Sequence, residues 1–125
     1  MSAAAGIDII ENDRFDSTAE RLGPGLLERL FTETERQWAA GLPASRLAAN
    51  FAAKEAFLKA LGTGLSNGMR WREIELVEQQ HGPPSLRVSG RAAELLAGRR
   101  VSVSVSRTSD LSVALVTIGS PGGES

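Results

Sequence analysis

The sequence predicts an α+β fold, with one long central helix packed on antiparallel strands. Three observations carry that prediction. Helix-like and strand-like stretches are segregated, the hydrophobic period changes from helical to alternating after Trp71, and the alternating stretches pair as hairpins in the second half. Residues 101–105 read Val-Ser-Val-Ser-Val and give the clearest strand, Asp110 marks a turn, and residues 111–118 form the return strand. Ile74 and Leu76 alternate with Glu73 and Glu75 as a further strand. The turn at 81–84, His-Gly-Pro-Pro, leads to its partner at 86–88. Upstream, Ile7, Ile9 and Ile10 mark a short first strand with Asp8 inside it.

The helices follow from periodicity and punctuation. Residues 13–22 are polar and helix-compatible, Gly23-Pro24-Gly25 interrupts them, and Leu26, Leu27, Leu30 and Phe31 begin an apolar helical face. Thr32 and Glu35 have the spacing of a capping box, in which each side chain bonds the other residue's backbone N–H. The short helix they open carries Trp38 and ends near Gly41. The longest helix is predicted over residues 43–61, from Pro43 in the first turn to a stop at Gly62. Leu47, Phe51, Leu58 and Leu61 form its apolar stripe. Ser89 is placed to cap a last short helix ending at Gly98.

Composition narrows the function. A chain of 125 residues suits a single domain, here residues 1–118, with a flexible tail over 119–125. Fourteen basic residues against fifteen acidic ones argue against a broadly basic nucleic-acid surface. No apolar run approaches the roughly 20 residues of a membrane span, and the first residues lack a signal-peptide pattern. The expected partners therefore include neither nucleic acid nor membrane, and the expected compartment is the cytoplasm. There is no cysteine, and the single histidine, His81, falls in an exposed turn. Zinc chemistry and a Ser-His-Asp triad accordingly lack support.

The two lysines of the chain, Lys54 and Lys59, both lie in the long helix. Glu55 and Lys59 are four residues apart on one face, as a surface ion pair or as part of a site. Lys54 completes the apolar stripe, so it needs either a partner or a route for its charge to the rim of the core. There it would suit an anionic ligand or a second carboxylate. Asp8 either caps a neighbouring helix or meets Glu55, in which case the two carboxylates have the donor chemistry of a magnesium site. Gly62-Thr63-Gly64 offers flexible backbone N–H groups and a hydroxyl, although a helix C-cap explains Gly62 alone. Ser106-Arg107-Thr108 offers a guanidinium and hydroxyls for phosphate, or forms an ordinary turn.

Taken together these residues resemble the holo-acyl-carrier-protein synthase family of phosphopantetheinyl transferases. Gly6-Ile7-Asp8-Ile9-Ile10 is similar to its N-terminal strand, and residues 29–35 to its R-x-[FL]-[ST]-x-x-E segment. Residues 51–64, from Phe51 through Lys54-Glu55 and Lys59 to Gly62-Thr63-Gly64, match its signature. Asn67-Gly68, Gly82 with Pro84 and the strand ending in Ser106 follow in order, so the resemblance covers about residues 5–118.

The resemblance implies transfer of the 4′-phosphopantetheine group of coenzyme A to a serine of an apo acyl carrier protein, with 3′,5′-ADP leaving. It implies Mg2+ held by Asp8 and Glu55, and coenzyme A contacted by Lys59, Gly62, Thr63, Gly64, Arg107 and Thr108. Catalytic roles fall to Glu55, as candidate base, and Lys59. It also implies a homotrimer with sites between subunits and an acidic carrier helix docked on arginines such as Arg14 and Arg21. Two positions depart from the family pattern: Asn50 stands where an arginine is usual, and Arg107 where many members have histidine. Those departures leave a non-catalytic module binding carrier protein or coenzyme A as the alternative. A purely structural α+β domain would leave the placement of the lysines and carboxylates to chance.

Overall fold

Residues 3–120 are described by the structure, a computed structural model. Strands β1 (Ala4–Glu11), β4 (Val101–Arg107) and β5 (Leu111–Ile118) form one antiparallel sheet in the order β1-β5-β4. Strands β2 (Ile74–Val77) and β3 (Ser85–Val88) form a second, two-stranded one. The helices are α1 (Asn12–Leu22), α2 (Pro24–Leu30), α3 (Glu33–Trp38), α4 (Ala48–Leu61) and α5 (Gly90–Leu96). In the three-stranded sheet Asp8 lies opposite Ala114, and Arg107 lies opposite Ser112.

Helix α4 crosses the inner face of that sheet, packing on β1 and β5. Ala52, Ala53, Ala56 and Ala60 are buried on it, and their short side chains let helix and sheet approach closely. Gly6 on β1 is part of the same fit, because a Cβ there would fall 2.1 Å from the Ala56 carbonyl oxygen. Phe57, Ile74, Val116 and Ile118 fill the remaining core. Each large apolar side chain buried here contributes roughly 1.5–3 kcal/mol. A second cluster of Leu30, Phe31, Ala39 and Leu47 seals the start of α4, with the Phe15, Phe51 and Trp71 rings against it. Phe51 and Trp71 lie with centroids 5.0 Å apart.

Several local expectations hold and others shift. The Thr32–Glu35 capping box forms in both directions, at 3.2 and 3.0 Å. The helix expected over 43–61 is divided: Ala44–Leu47 is a 3₁₀ turn, and the α-helix begins at Ala48. Pro43 does initiate the turn, yet four residues pass before the i→i+4 ladder takes over. Ser89 is the residue before α5 but makes no side-chain cap. The carboxylate of Glu73 serves instead, accepting the Ala92 N–H at 3.1 Å. The tail expected over 119–125 lies outside the described residues from 121 onward. Gly119 is buried and donates its N–H to the Arg100 carbonyl at 2.7 Å. No helix among the described residues is long and apolar enough to cross a membrane.

Candidate active site

Strand alternation turns Gly6, Asp8 and Ile10 toward α4 and leaves Ile7 and Ile9 on the outer face. Because Gly6 admits the α4 backbone so closely, Asp8 comes beside the helix at the turn carrying Glu55 and Lys59. The Lys59 ammonium donates to Asp8 Oδ1 at 2.9 Å and to the Ile7 carbonyl at 3.0 Å. Asp8 therefore serves Lys59 and caps no helix, and Lys59 pairs with the strand aspartate across the gap, not with Glu55 along the helix. Glu55 is half-buried. Its burial raises the carboxyl's pKa above the ordinary range, the Asp8 charge raises it further, and the Lys59 cation opposes both. Two carboxylates thus share one cation at the β1 edge. Among the described residues no third acid or histidine joins them as a metal-ligand cluster.

The helix ends as its glycine requires. Gly62 adopts the left-handed conformation (φ 85°), and its N–H reaches the Leu58 carbonyl at 2.9 Å. In the exposed loop that follows, the Thr63 hydroxyl donates to the Gly64 carbonyl at 2.9 Å. Gly62, Thr63 and Gly64 all lie just beyond the last turn of the helix that carries Lys59.

The opposite flank of α4 holds Lys54, and there the rim reading is overturned. Lys54 is 0% exposed, beside Glu35 at 2% and Asn50 at 1%. Its ammonium donates to Glu35 Oε1 at 2.9 Å, to the Trp71 carbonyl at 3.3 Å and to the Ile74 carbonyl. Glu35 Oε2 accepts from Asn50 Nδ2 at 3.1 Å and from the Leu76 N–H at 3.2 Å. Burial lowers the Lys54 pKa, and the Glu35 charge counteracts it. The second carboxylate that Lys54 needed is Glu35, and this dry network joins α3, α4 and β2.

Arg107 closes the same side. Its guanidinium donates to Glu78 Oε1 at 2.6 Å and to Asn50 Oδ1 at 3.5 Å, and lies 5.1 Å from the Trp38 ring centroid. Arg46 covers that ring at 4.0 Å. Arg107 Nε is buried without a partner. The Thr108 hydroxyl is occupied in the β4–β5 turn, accepting the Leu111 N–H at 2.9 Å. Within one chain, then, Asp8, Glu55 and Lys59 meet at the β1 edge, whereas Arg107 stands on β4 with β5 between the two strands. Sequence reasoning missed Glu35, Glu78 and Gly6 as determinants. The capping box was the available signal for Glu35, since it fixes where that carboxylate starts.

The 4′-phosphopantetheinyl transferase superfamily model matches residues 4–116. This chain belongs to that superfamily. Within it, the curated relatives place the chain among the holo-[acyl-carrier-protein] synthases. The chain is 44% identical to the synthase of Clavibacter michiganensis over 93% of its own length and 94% of the relative's. It is 43% identical to that of Geobacter sulfurreducens, over 97% and 100%. The mixed α/β fold matches solved synthases. The Bacillus anthracis protein, in complex with CoA (3′,5′-ADP), has a TM-score of 0.77 at 34% identity, covering 94% of this chain and 96% of that one. The Neisseria meningitidis protein has a TM-score of 0.81 at 32% identity, covering 94% and 98%.

Proposed function

We propose that this transferase moves the 4′-phosphopantetheine group of coenzyme A onto a serine of an apo acyl carrier protein, releasing 3′,5′-ADP in a Mg2+-dependent reaction. The carrying observation is the meeting of Asp8 and Glu55, from β1 and α4, with Lys59 alongside. That donor set suits a hard dication. Burial and then the neighbouring Asp8 charge raise the proton affinity of Glu55, and the Lys59 ammonium that pairs with Asp8 opposes them. Asp8 and Glu55 would hold the ion, whose chemistry when bound is to neutralise charge on phosphate oxygens.

The chain's own groups account for the rest. Lys59, tied to Asp8 and the Ile7 carbonyl yet half in solvent, offers a further cation to the diphosphate of coenzyme A. Gly62, Thr63 and Gly64 line the ligand's path beyond the helix end. The carrier serine Oγ bonds to the phosphorus bearing the pantetheine arm, and the bond from that phosphorus to the 3′,5′-ADP oxygen breaks. The serine proton passes to a base, for which Glu55 is the candidate.

The separation of Arg107 and Thr108 from the carboxylates within one chain supports a homotrimer in which a neighbouring subunit completes each site. The outer face of the three-stranded sheet supports it too, since Ile7, Ile9 and Leu115 lie exposed there at 54%, 59% and 42%. We place the enzyme in the cytoplasm as a single domain over residues 1–118, with its carrier docked at Arg14 and Arg21. The test is the intact mass of purified apo carrier proteins after incubation with this protein, coenzyme A and Mg2+. A mass increase equal to one phosphopantetheine group is expected, and its loss with chelator. No increase across a broad carrier panel, with coenzyme A still bound, would leave the chain a binding module.

A further inference from the structure

The turn between β4 and β5 points three successive carbonyl groups at one residue. Asn12 Nδ2 donates to the Thr108 carbonyl at 2.9 Å and to the Ser109 carbonyl at 3.3 Å. The Asn12 backbone N–H donates to the Asp110 carbonyl at 2.8 Å. On the other side of the amide, Asn12 Oδ1 accepts from the hydroxyl of buried Ser112 at 2.7 Å. A carbonyl can only accept, so the amide is held one way round. An asparagine at a helix start ordinarily caps that helix. Here α1 begins at Asn12 with no side-chain cap, and the amide reaches across to a turn 96 residues away in sequence. These bonds secure the end of the sheet at which β4 finishes with Arg107. Ser112 lies between Ile10 of β1 and Arg107 of β4 in the register, so all three strands are tied there. The turn is also braced internally, because the Thr108 hydroxyl accepts the Asp110 N–H at 3.2 Å and the Leu111 N–H at 2.9 Å.

We propose that Asn12 is a positioning residue for coenzyme A: it sets where the end of β4 presents Arg107 and Thr108 relative to the strand that carries Asp8. The inference rests on the transfer reading above, in which these two parts of one chain serve neighbouring sites. In a closed ring, the spacing within each subunit decides whether the halves contributed by neighbours meet on one ligand. Asparagine suits the place because it offers two side-chain donors to the turn and one acceptor to Ser112. An aspartate there would turn a second acceptor toward two carbonyls. The reacting diphosphate belongs to the half with Asp8, Glu55 and Lys59. Misplacing the other half therefore weakens the hold on the ligand more than it slows the bond-making step, and its mark is a raised KM.

The experiment compares Asn12→Ala, Asn12→Asp and Ser112→Ala with wild type, all as full-length protein. The Kd for coenzyme A is measured without carrier, KM and kcat by carrier modification, and stability by urea unfolding. Asn12→Ala removes the amide. Asn12→Asp keeps an acceptor for Ser112 but loses both donors to the turn. Ser112→Ala keeps those donors and loses only the hydroxyl. Both Asn12 variants should raise Kd and KM for coenzyme A about tenfold, with a smaller fall in kcat. Ser112→Ala should bind coenzyme A as wild type does, even where its stability falls. Unchanged affinity in Asn12→Ala overturns the proposal. A defect confined to Asn12→Asp also overturns it, since that would be repulsion between the new charge and phosphate. So does a defect in all three variants that follows lost stability, which would leave Asn12 a structural residue only. A wild type that binds coenzyme A but modifies no carrier overturns the transfer reading instead, and the Kd values still decide for or against Asn12.

Discussion

On one flank of α4, Lys54 is sealed from water, and each of its bonds goes to protein oxygen. On the other flank, one residue along the chain, Glu55 stands half in solvent, near an aspartate of like charge. The sequence places these residues side by side, but a helix turns about 100° per residue and sends them to different surroundings. The dry flank is satisfied: Glu35, Asn50 and four backbone groups, the Thr32 N–H among them, account for the buried charge. On the wet flank burial and the Asp8 charge raise the proton affinity of Glu55 against the Lys59 cation. The lesson is that a shared signature holds two devices, one joining three elements and the other presenting the site proposed above for a cation.

The largest effect should come from breaking the dry flank. Lys54→Met leaves the Glu35 carboxylate buried and unpaired, which costs about 3–5 kcal/mol. Urea unfolding should show a midpoint lowered accordingly. Adding Glu35→Gln removes the stranded charge, so the double substitution should cost less than Lys54→Met alone. A Lys54→Met protein as stable as wild type would contradict the burial of the pair.

The wet flank should respond in the opposite currency, losing activity and keeping stability. Asp8→Asn and Glu55→Gln each should lower Mg2+-dependent transfer on the order of 10²-fold or more, with the unfolding midpoint close to wild type. Carrier modification followed by mass, alongside urea unfolding of the same samples, separates the two flanks. Near-normal turnover in both variants would remove the carboxylates from the reaction.

Much of the fold was legible because it follows local pattern. The alternation of Val101 to Val105, the capping box at Thr32 and the stop at Gly62 are set by neighbours in sequence, and all three appear as expected. What depended on distant partners was not legible. Lys54 showed itself as a charge on an apolar stripe, yet its partner lies 19 residues upstream, on a helix whose orientation no local rule gives. Arg107 read either as a phosphate binder or as part of an ordinary turn, and its pairing with Glu78 arises because β4 comes beside the end of β2. The start of α4 was placed early because Pro43 signals a first turn without saying whether that turn is α or 3₁₀. The wet flank was legible in outline, since Asp8, Glu55 and Lys59 were each singled out, but the closeness of strand and helix was hidden in a glycine.

That glycine gives a sharper test of how the flanks are coupled. In Gly6→Ala the new methyl meets the Ala56 carbonyl and the Ala60 nitrogen, both backbone atoms of α4. Strand and helix must then separate, at about 1–3 kcal/mol. Asp8 is two residues away, so its bond to Lys59 is disturbed with it. Transfer should fall further than stability alone explains when measured well below the melting temperature. Gly6→Ala with full activity would show that the site tolerates a wider gap between β1 and α4.

The smallest effect is a change in pH dependence. In metal-free protein with chelator, the Glu55 carboxyl keeps its proton to a higher pH in the folded chain than in the unfolded one. Across the window from the ordinary carboxylate range up to that raised value the native state holds more protons. Stability therefore falls as pH rises through the window and is level above it. Glu55→Gln has no proton to lose there. Its melting temperature should exceed that of wild type by at most a few degrees above the window, and the two should converge below it. Mg2+ restores wild type at neutral pH by supplying the positive charge that the proton gave, and should do less for Glu55→Gln. Parallel melting curves for the two proteins across this range, with and without Mg2+, would mean that the carboxylate is neither strained by its surroundings nor relieved by the ion.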